Sequence, residues 1–192
     1  MLDNRLAVLK KHVGEEPVNG SDSDNTRRRA YGRAYLGSCV EYIQYGDNDR
    51  AYVCFQKMAN ISPELLNETD TYYQLGCGDQ PKGSMGDLSS LNVKRSSDPL
   101  MGMMKKLFSD TGTSETVKQL ENASHSKAYF SLGMLAYGTR EFGEMRRFFG
   151  RAVLNDPKYL FNKQLISLSI KSLLGPALVD GLRNIRRRVA ST

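Results

Sequence analysis

The chain has 192 residues, 40% of them hydrophobic and 25% charged, with a net charge of +6. That length buries a full core in one domain, two at most, and the composition lies in the ordinary soluble range. No apolar run reaches the ~20 residues of a membrane span. The start, MLDNRLAVLKKH, is charged too early and apolar too briefly for a secretory signal, so the expected compartment is cytoplasmic.

Residues 2–13 read as a short amphipathic helix with Leu2, Leu6, Leu9 and Val13 on one side. GEEPVNGSDSDNT, 14–26, is a loop by its Gly, Asp, Asn and Ser. A helix is expected from Arg27 to Tyr45, a turn at Gly46-Asp47-Asn48, and a second helix from Asn48 to Asn60. Ser62-Pro63-Glu64 predicts a restart, with Ser as the cap, Pro in the first turn and Glu at the positive helix end. The new helix carries Leu65, Leu66, Tyr72, Tyr73 and Leu75 and stops at Gly76-Cys77-Gly78. DQPKGSMGD is a loop, then come a short helix near Leu88–Lys94 and another starting at Asp98-Pro99 and ending about Phe108 and Ser109.

Ser109–Thr113 is a turn, and one long helix runs from Ser114 to Tyr137. After Gly138-Thr139-Arg140, Met145, Phe149 and Ala152 fall at i, i+4, i+7 on a helix that Asn155-Asp156-Pro157 ends. Lys158–Leu174 is a further helix with Leu160, Phe161, Leu165, Leu168 and Leu173 as its apolar positions. Gly175-Pro176 interrupts it, and Ala177–Val189 is a last helix ending in Arg186-Arg187-Arg188. No stretch alternates apolar and polar residues as a strand does, so the fold class is all-α, helix packed on helix.

Reactive residue types are present without the arrangement their chemistry needs. Cys39, Cys54 and Cys77 make an odd count without CxxC spacing and read as free buried thiols. His12 and His125 have no second ligand-type residue at metal spacing and read as surface histidines. Gly76 to Gly83 resembles a phosphate loop only superficially: a helix precedes it, proline interrupts it and Lys82 comes before Gly83. Asp22-Ser23-Asp24 mimics the acidic metal motif of nucleotide-sugar transferases, which works at the end of a strand, and no strand precedes it. Nothing resembles a nucleophile elbow. No catalytic residue, metal ligand or cofactor is expected, and the chain is not expected to be an enzyme by itself.

Tyr129, Leu132-Gly133, Ala136, Met145, Phe149, Ala152 and Pro157 stand at the places of a tetratricopeptide repeat, which this stretch resembles. Met145 departs from it, since the family usually has Ala there. Ala34 to Pro63 is a looser copy, with Leu36-Gly37, Ala51, Phe55 and Pro63, and with Met58 in place of the later Ala. The resemblance implies stacked antiparallel helical hairpins in a tetratricopeptide-like superhelical array. The chain is then one helical-repeat domain over 1–192. Its parts are an N-terminal helix at 1–13, a loop at 14–26 and a degenerate repeat plus following helix at 27–78. An irregular connection at 79–113, the better repeat at 114–157 and C-terminal helices with a basic end at 158–192 complete it.

A second resemblance covers Leu2 to Asp156. LDNRLAVLKKH, the repeat ending ISPELL, TYYQLGCGDQPKG and DPLMGMMKKLFSD are similar to the helical region that follows the catalytic domain in many prokaryotic family 2 glycosyltransferases. It implies a non-catalytic portion that holds an oligomer together, positions an acceptor or binds a partner, and it transfers no active-site residue. The expected partner is a protein or peptide, a second copy of the chain, or a glycosyltransferase catalytic domain. Lys127, Phe130, Met134 and Tyr137 would line the receiving groove.

Charge is unevenly placed: from Arg140 onward eleven Lys or Arg stand against four Asp or Glu. Arg146, Arg147, Arg151, Arg183, Arg186, Arg187 and Arg188 form a candidate basic patch. It is read as a solvated face or as a contact for an anionic membrane surface. Nucleic acid is set aside, because the arginines lack interleaved exposed aromatics. A stand-alone adaptor and a membrane-surface module are the rival readings.

Overall fold

The structure, a computed structural model, describes residues 2–17, 24–78, 80 and 87–173. Among the described residues the regular structure is all helical. Helix α1, Leu2–Val13, has no fully buried residue; its Leu2, Leu6, Leu9 and Val13 pack half-buried against the core. Arg5 fastens it to the next helix, donating to Glu41 at 2.8 Å and to Ser38 at 3.3 Å.

Helix α2, Asn25–Gln44, starts two residues earlier than its apolar pattern indicates. The Asp24 carboxylate accepts from the Arg27 N–H at 3.1 Å and satisfies a donor the helix end would leave open. Its inward residues include Tyr31, Leu36, Cys39 and Val40. The turn to α3, Asn48–Ile61, needs one left-handed residue, and Gly46 supplies it at φ 75°. Asp47 then caps α3 through the Arg50 N–H. Three residues of linker lay α3 antiparallel on α2, with Ala51, Phe55, Met58 and Ala59 wholly buried.

The restart at Pro63 is a tight 3₁₀ turn, Pro63–Asn67, with the α-helix following as α4, Thr69–Gly76. Ser62 does not cap it, because its hydroxyl donates to the Glu64 carboxylate at 2.6 Å. Glu68, between the two pieces, holds Arg29 at 2.7 Å and Arg33 beside it, while Arg33 also reaches Asp70 at 3.0 Å. These ion pairs tie α2 to the start of α4.

After a 3₁₀ turn at Leu88–Ser90, α5 runs unbroken over Val93–Ser109 with Pro99 inside it. The expected start at Asp98-Pro99 is therefore wrong. Asn92 caps the helix six residues before Asp98, and Val93 and Ser96 are buried, so packing of the first turn outweighs the cost of an interior proline. The expected long helix is likewise divided into α6, Glu115–Lys118, and α7, Glu121–Gly138. The break is a tightened turn in which the Leu120 N–H donates to the Val117 carbonyl at 3.0 Å.

Helix α7 lies between α4 and α8, Phe142–Asn155, and is buried on both sides. Serines serve both contacts: Ser131 donates to the Thr69 carbonyl at 2.9 Å and Ser126 to the Ala152 carbonyl at 3.1 Å. On the α8 side Gly133 makes room for the Phe149 ring. A Cβ there would sit 2.3 Å from Cδ1 and Cε1 of Phe149. Arg140 takes the left-handed place in the α7–α8 turn at φ 66°. Another 3₁₀ turn, Pro157–Phe161, leads to α9, Lys163–Leu173, so the expected Lys158–Leu174 helix is in two pieces. The sequence-predicted helix at Ala177–Val189 lies outside the described residues.

The same order of elements thus occurs twice: helix, three-residue turn, fourteen-residue helix, five-residue 3₁₀ turn, helix. Gly46 and Arg140, Phe55 and Phe149, and Pro63 and Pro157 match at equal spacing. Leu36-Gly37 does not match Leu132-Gly133 in this frame. A Cβ on Gly37 would meet the Arg5 guanidinium of α1 at 3.0 Å, not α3.

Candidate interaction surface

The four residues expected to line a groove on α7 fall into different environments. Phe130 is buried, stacked on Phe149 with centroids 5.6 Å apart and roofed by Tyr159 at 5.3 Å. It is core, and the open groove expected there is closed by the Pro157–Phe161 turn. Met134 is half-buried beneath α9, where Gln164 Nε2 donates to its sulfur at 3.1 Å. Tyr137 is half-buried against Phe142, 5.7 Å away, and Lys127 is half-buried without a ring contact. Packing of α9 over α7 carries this outcome, and helical spacing within α7 alone could not show it.

The basic residues separate as well. Arg146 and Arg147 are exposed on α8, Arg147 lying 3.7 Å from Glu144. Arg151 is half-buried, its guanidinium 5.5 Å over the Tyr129 ring, so it serves packing as much as charge. Arg183, Arg186, Arg187 and Arg188 lie outside the described residues.

His12 is exposed as expected, but His125 is not a surface histidine. It sits in an aromatic row, 5.7 Å from Phe108 and 6.2 Å from Tyr129, and Tyr129 continues to Phe148. Burial lowers its pKa, partly opposed by Glu121. The folded chain therefore resists the imidazolium that the unfolded chain forms near pH 6.5. The contribution to stability is whole above that pH and is lost as pH falls through it toward the lower folded value. The drop in melting temperature on acidification to about pH 5.5 is expected to be smaller in His125→Phe than in wild type. Parallel melting profiles for the two chains would contradict this assignment.

The three cysteines are buried and free. Burial pushes Cys54 and Cys77 up to about 11 and Cys39 well above its ordinary value, so none is an activated nucleophile. Asp24 is occupied as the cap of α2, and Asp22 and Ser23 lie outside the described residues. Among the described residues no three His, Cys, Asp or Glu side chains gather as a metal site. Gly76 is explained by packing, since a Cβ there would lie 2.6 Å from Leu135 Cδ1 of α7.

Two surface features were not legible from spacing. A cleft of about 400 Å³ opens between α3 and α5, walled by Asp49, Tyr52, Asp98, Pro99 and Lys106. Lys106 Nζ sits 4.0 Å over the Tyr52 ring. Asp49 of α3 and Asp98 of α5 both line the cleft, Asp98 from within the helix that continues through Pro99. The second is apolar: Phe161 is 84% exposed, with Ile166, Ile170 and Leu173 exposed along α9. No helix among the described residues is long and apolar enough to cross a membrane. In comparisons with known proteins the chain matches no protein family, no curated protein and no solved structure.

Proposed function

We propose that the chain is a non-catalytic protein–protein interaction or oligomerisation module of tetratricopeptide-like build, the C-terminal part of a family 2 glycosyltransferase. The observation that supports the build is the twofold order of elements, in which Gly46 and Arg140 turn the hairpins and Pro63 and Pro157 close them. A hairpin of this kind leaves one face for its neighbour, so a short array ends on faces that other proteins can cover. The role is to hold molecules together, and the first partner to test is a second copy of the chain. Lys127, Met134 and Tyr137, all half-buried, are the contact candidates left after Phe130 is assigned to the core.

Sedimentation velocity over a wide range of concentration tests the reading. A mass that rises with concentration, and returns to that of one chain in Met134→Glu with Tyr137→Glu, is expected. A single-chain mass at every concentration would overturn self-association. The native reading frame separates the transferase parent from the rival, a stand-alone adaptor: extension upstream into a sugar-transferase domain favours the first.

A further inference from the structure

Nine large hydrophobic side chains are exposed among the described residues, and six of them lie between Leu154 and Leu173. Three are explained by the internal correspondence of the chain. Counted from Pro63 and from Pro157, Leu66 matches Leu160, Tyr72 matches Ile166 and Gly76 matches Ile170. In the first set the face is covered: Leu66 and Tyr72 are wholly buried, Ser124 of α7 donates to the Leu66 carbonyl, and Leu135 of α7 presses on Gly76. In the second set Leu160 is 56%, Ile166 41% and Ile170 55% exposed.

The charges around the two faces differ in sign. Glu64 and Asp70 of the first set correspond to Lys158 and Gln164 of the second, and Asn67 corresponds to Phe161. Lys158, Lys163 and Lys171 are all exposed, and no Asp or Glu occurs between Pro157 and Val179. We propose that Phe161 and the outer face of α9, Ile166, Ile170 and Leu173, form a docking surface for an anionic lipid bilayer, with Lys163 and Lys171 on the headgroups. This goes beyond the protein-contact reading and stands without it.

Three observations select that occupant. Apolar side chains on a segment, 158–173, whose charged residues are all lysines are complementary to a surface that is apolar inside and negative outside. Residues 174–192 carry Arg183, Arg186, Arg187 and Arg188 against Asp180 alone, a charge of the same sign as the lysines. A second copy would bring the same lysines, and these few side chains fall short of the roughly 20–30 residues a side of a stable protein interface.

Cosedimentation of the full chain with phosphatidylglycerol–phosphatidylcholine vesicles, against phosphatidylcholine alone, is the test. The chain is expected to bind the anionic vesicles and not the neutral ones. Binding should fall about tenfold or more in Phe161→Ser with Ile170→Ser, and by a similar factor in Lys163→Glu with Lys171→Glu. These positions are exposed, and unchanged circular dichroism melting shows that the variants fold. Absence of binding to anionic vesicles overturns the proposal. So does binding that ignores both double variants but is lost in Arg186→Glu with Arg187→Glu, which would move the contact to the arginine end. A wild-type oligomer that the Phe161→Ser, Ile170→Ser chain cannot form, without vesicle binding, would assign the face to a second copy instead.

Discussion

Gly133→Ala is expected to lower the melting temperature by about 4–8 °C. The added Cβ would overlap two ring atoms of Phe149 at 2.3 Å, and that ring is only 3% exposed, with Phe130 stacked against it. The ring has no open space to swing into, so the helices must separate. Overpacking of this kind costs about 1–3 kcal/mol, and this overlap belongs at the upper end. Alanine returns about 1 kcal/mol of helix propensity relative to glycine. The net loss is about 2 kcal/mol, at roughly 2–4 °C per kcal/mol for a chain of this size. Gly150 on α8 is the control, because a Cβ there meets nothing within 4 Å. Gly150→Ala should raise the melting temperature by a few degrees. If Gly133→Ala is as stable as Gly150→Ala, the close approach of α7 and α8 at Gly133 and Phe149 is overturned. Phe149→Leu should recover part of the loss in the Gly133→Ala background, a coupling that a general defect would not show.

That crossing was the part of the fold most legible in sequence, and the reason is local. Gly133, Ala136 and Ala152 interrupt a series of large apolar residues, and a helix pair that must approach closely has few other ways to do it. The turns at Gly46-Asp47-Asn48 and Gly138-Thr139-Arg140 and the stops at Pro63 and Pro157 are equally local, each set by the chemistry of one to three residues. What sequence did not show depends on distant partners. Pro99 looked like a helix start because proline favours first turns, yet Val93 and Ser96 are buried and extend α5 past it. Phe130 looked like a groove residue because it shares a stripe with Met134 and Tyr137; Tyr159, twenty-nine positions later, covers it. His125 looked solvated among polar neighbours, yet Phe108 and Tyr129 enclose it. Helical period locates a face, and only the next layer of the fold decides whether that face is open. The same limit hid the surface of α9, since Leu165 and Ile166 are equally apolar in sequence and only Leu165 faces inward.

The second large effect is expected at Tyr72, where three elements meet. Its ring is wholly buried, and its hydroxyl donates to the Leu66 carbonyl at 2.8 Å. Ser124 of α7 donates to the same carbonyl at 3.3 Å. Tyr72→Ala removes the ring from between the 3₁₀ turn, α4 and α7 and is expected to cost about 3–5 kcal/mol. That is a large share of the ~5–15 kcal/mol that holds a domain folded. Tyr72→Phe keeps the ring and loses one donor, for about 1 kcal/mol, because the carbonyl still has Ser124. Ser124→Ala costs a similar amount for the same reason. Combining Tyr72→Phe with Ser124→Ala leaves the Leu66 carbonyl buried without either hydroxyl donor, and desolvation of such a group adds about 1–3 kcal/mol. The double variant should therefore lose more than the two singles together, read as the denaturation midpoint in urea at unchanged slope. Strict additivity would mean that water or a shifted backbone replaces the donors, and the seam between α4 and α7 would then be looser than its geometry states. A cost for Tyr72→Ala no greater than for Tyr72→Phe would remove the ring from the core altogether.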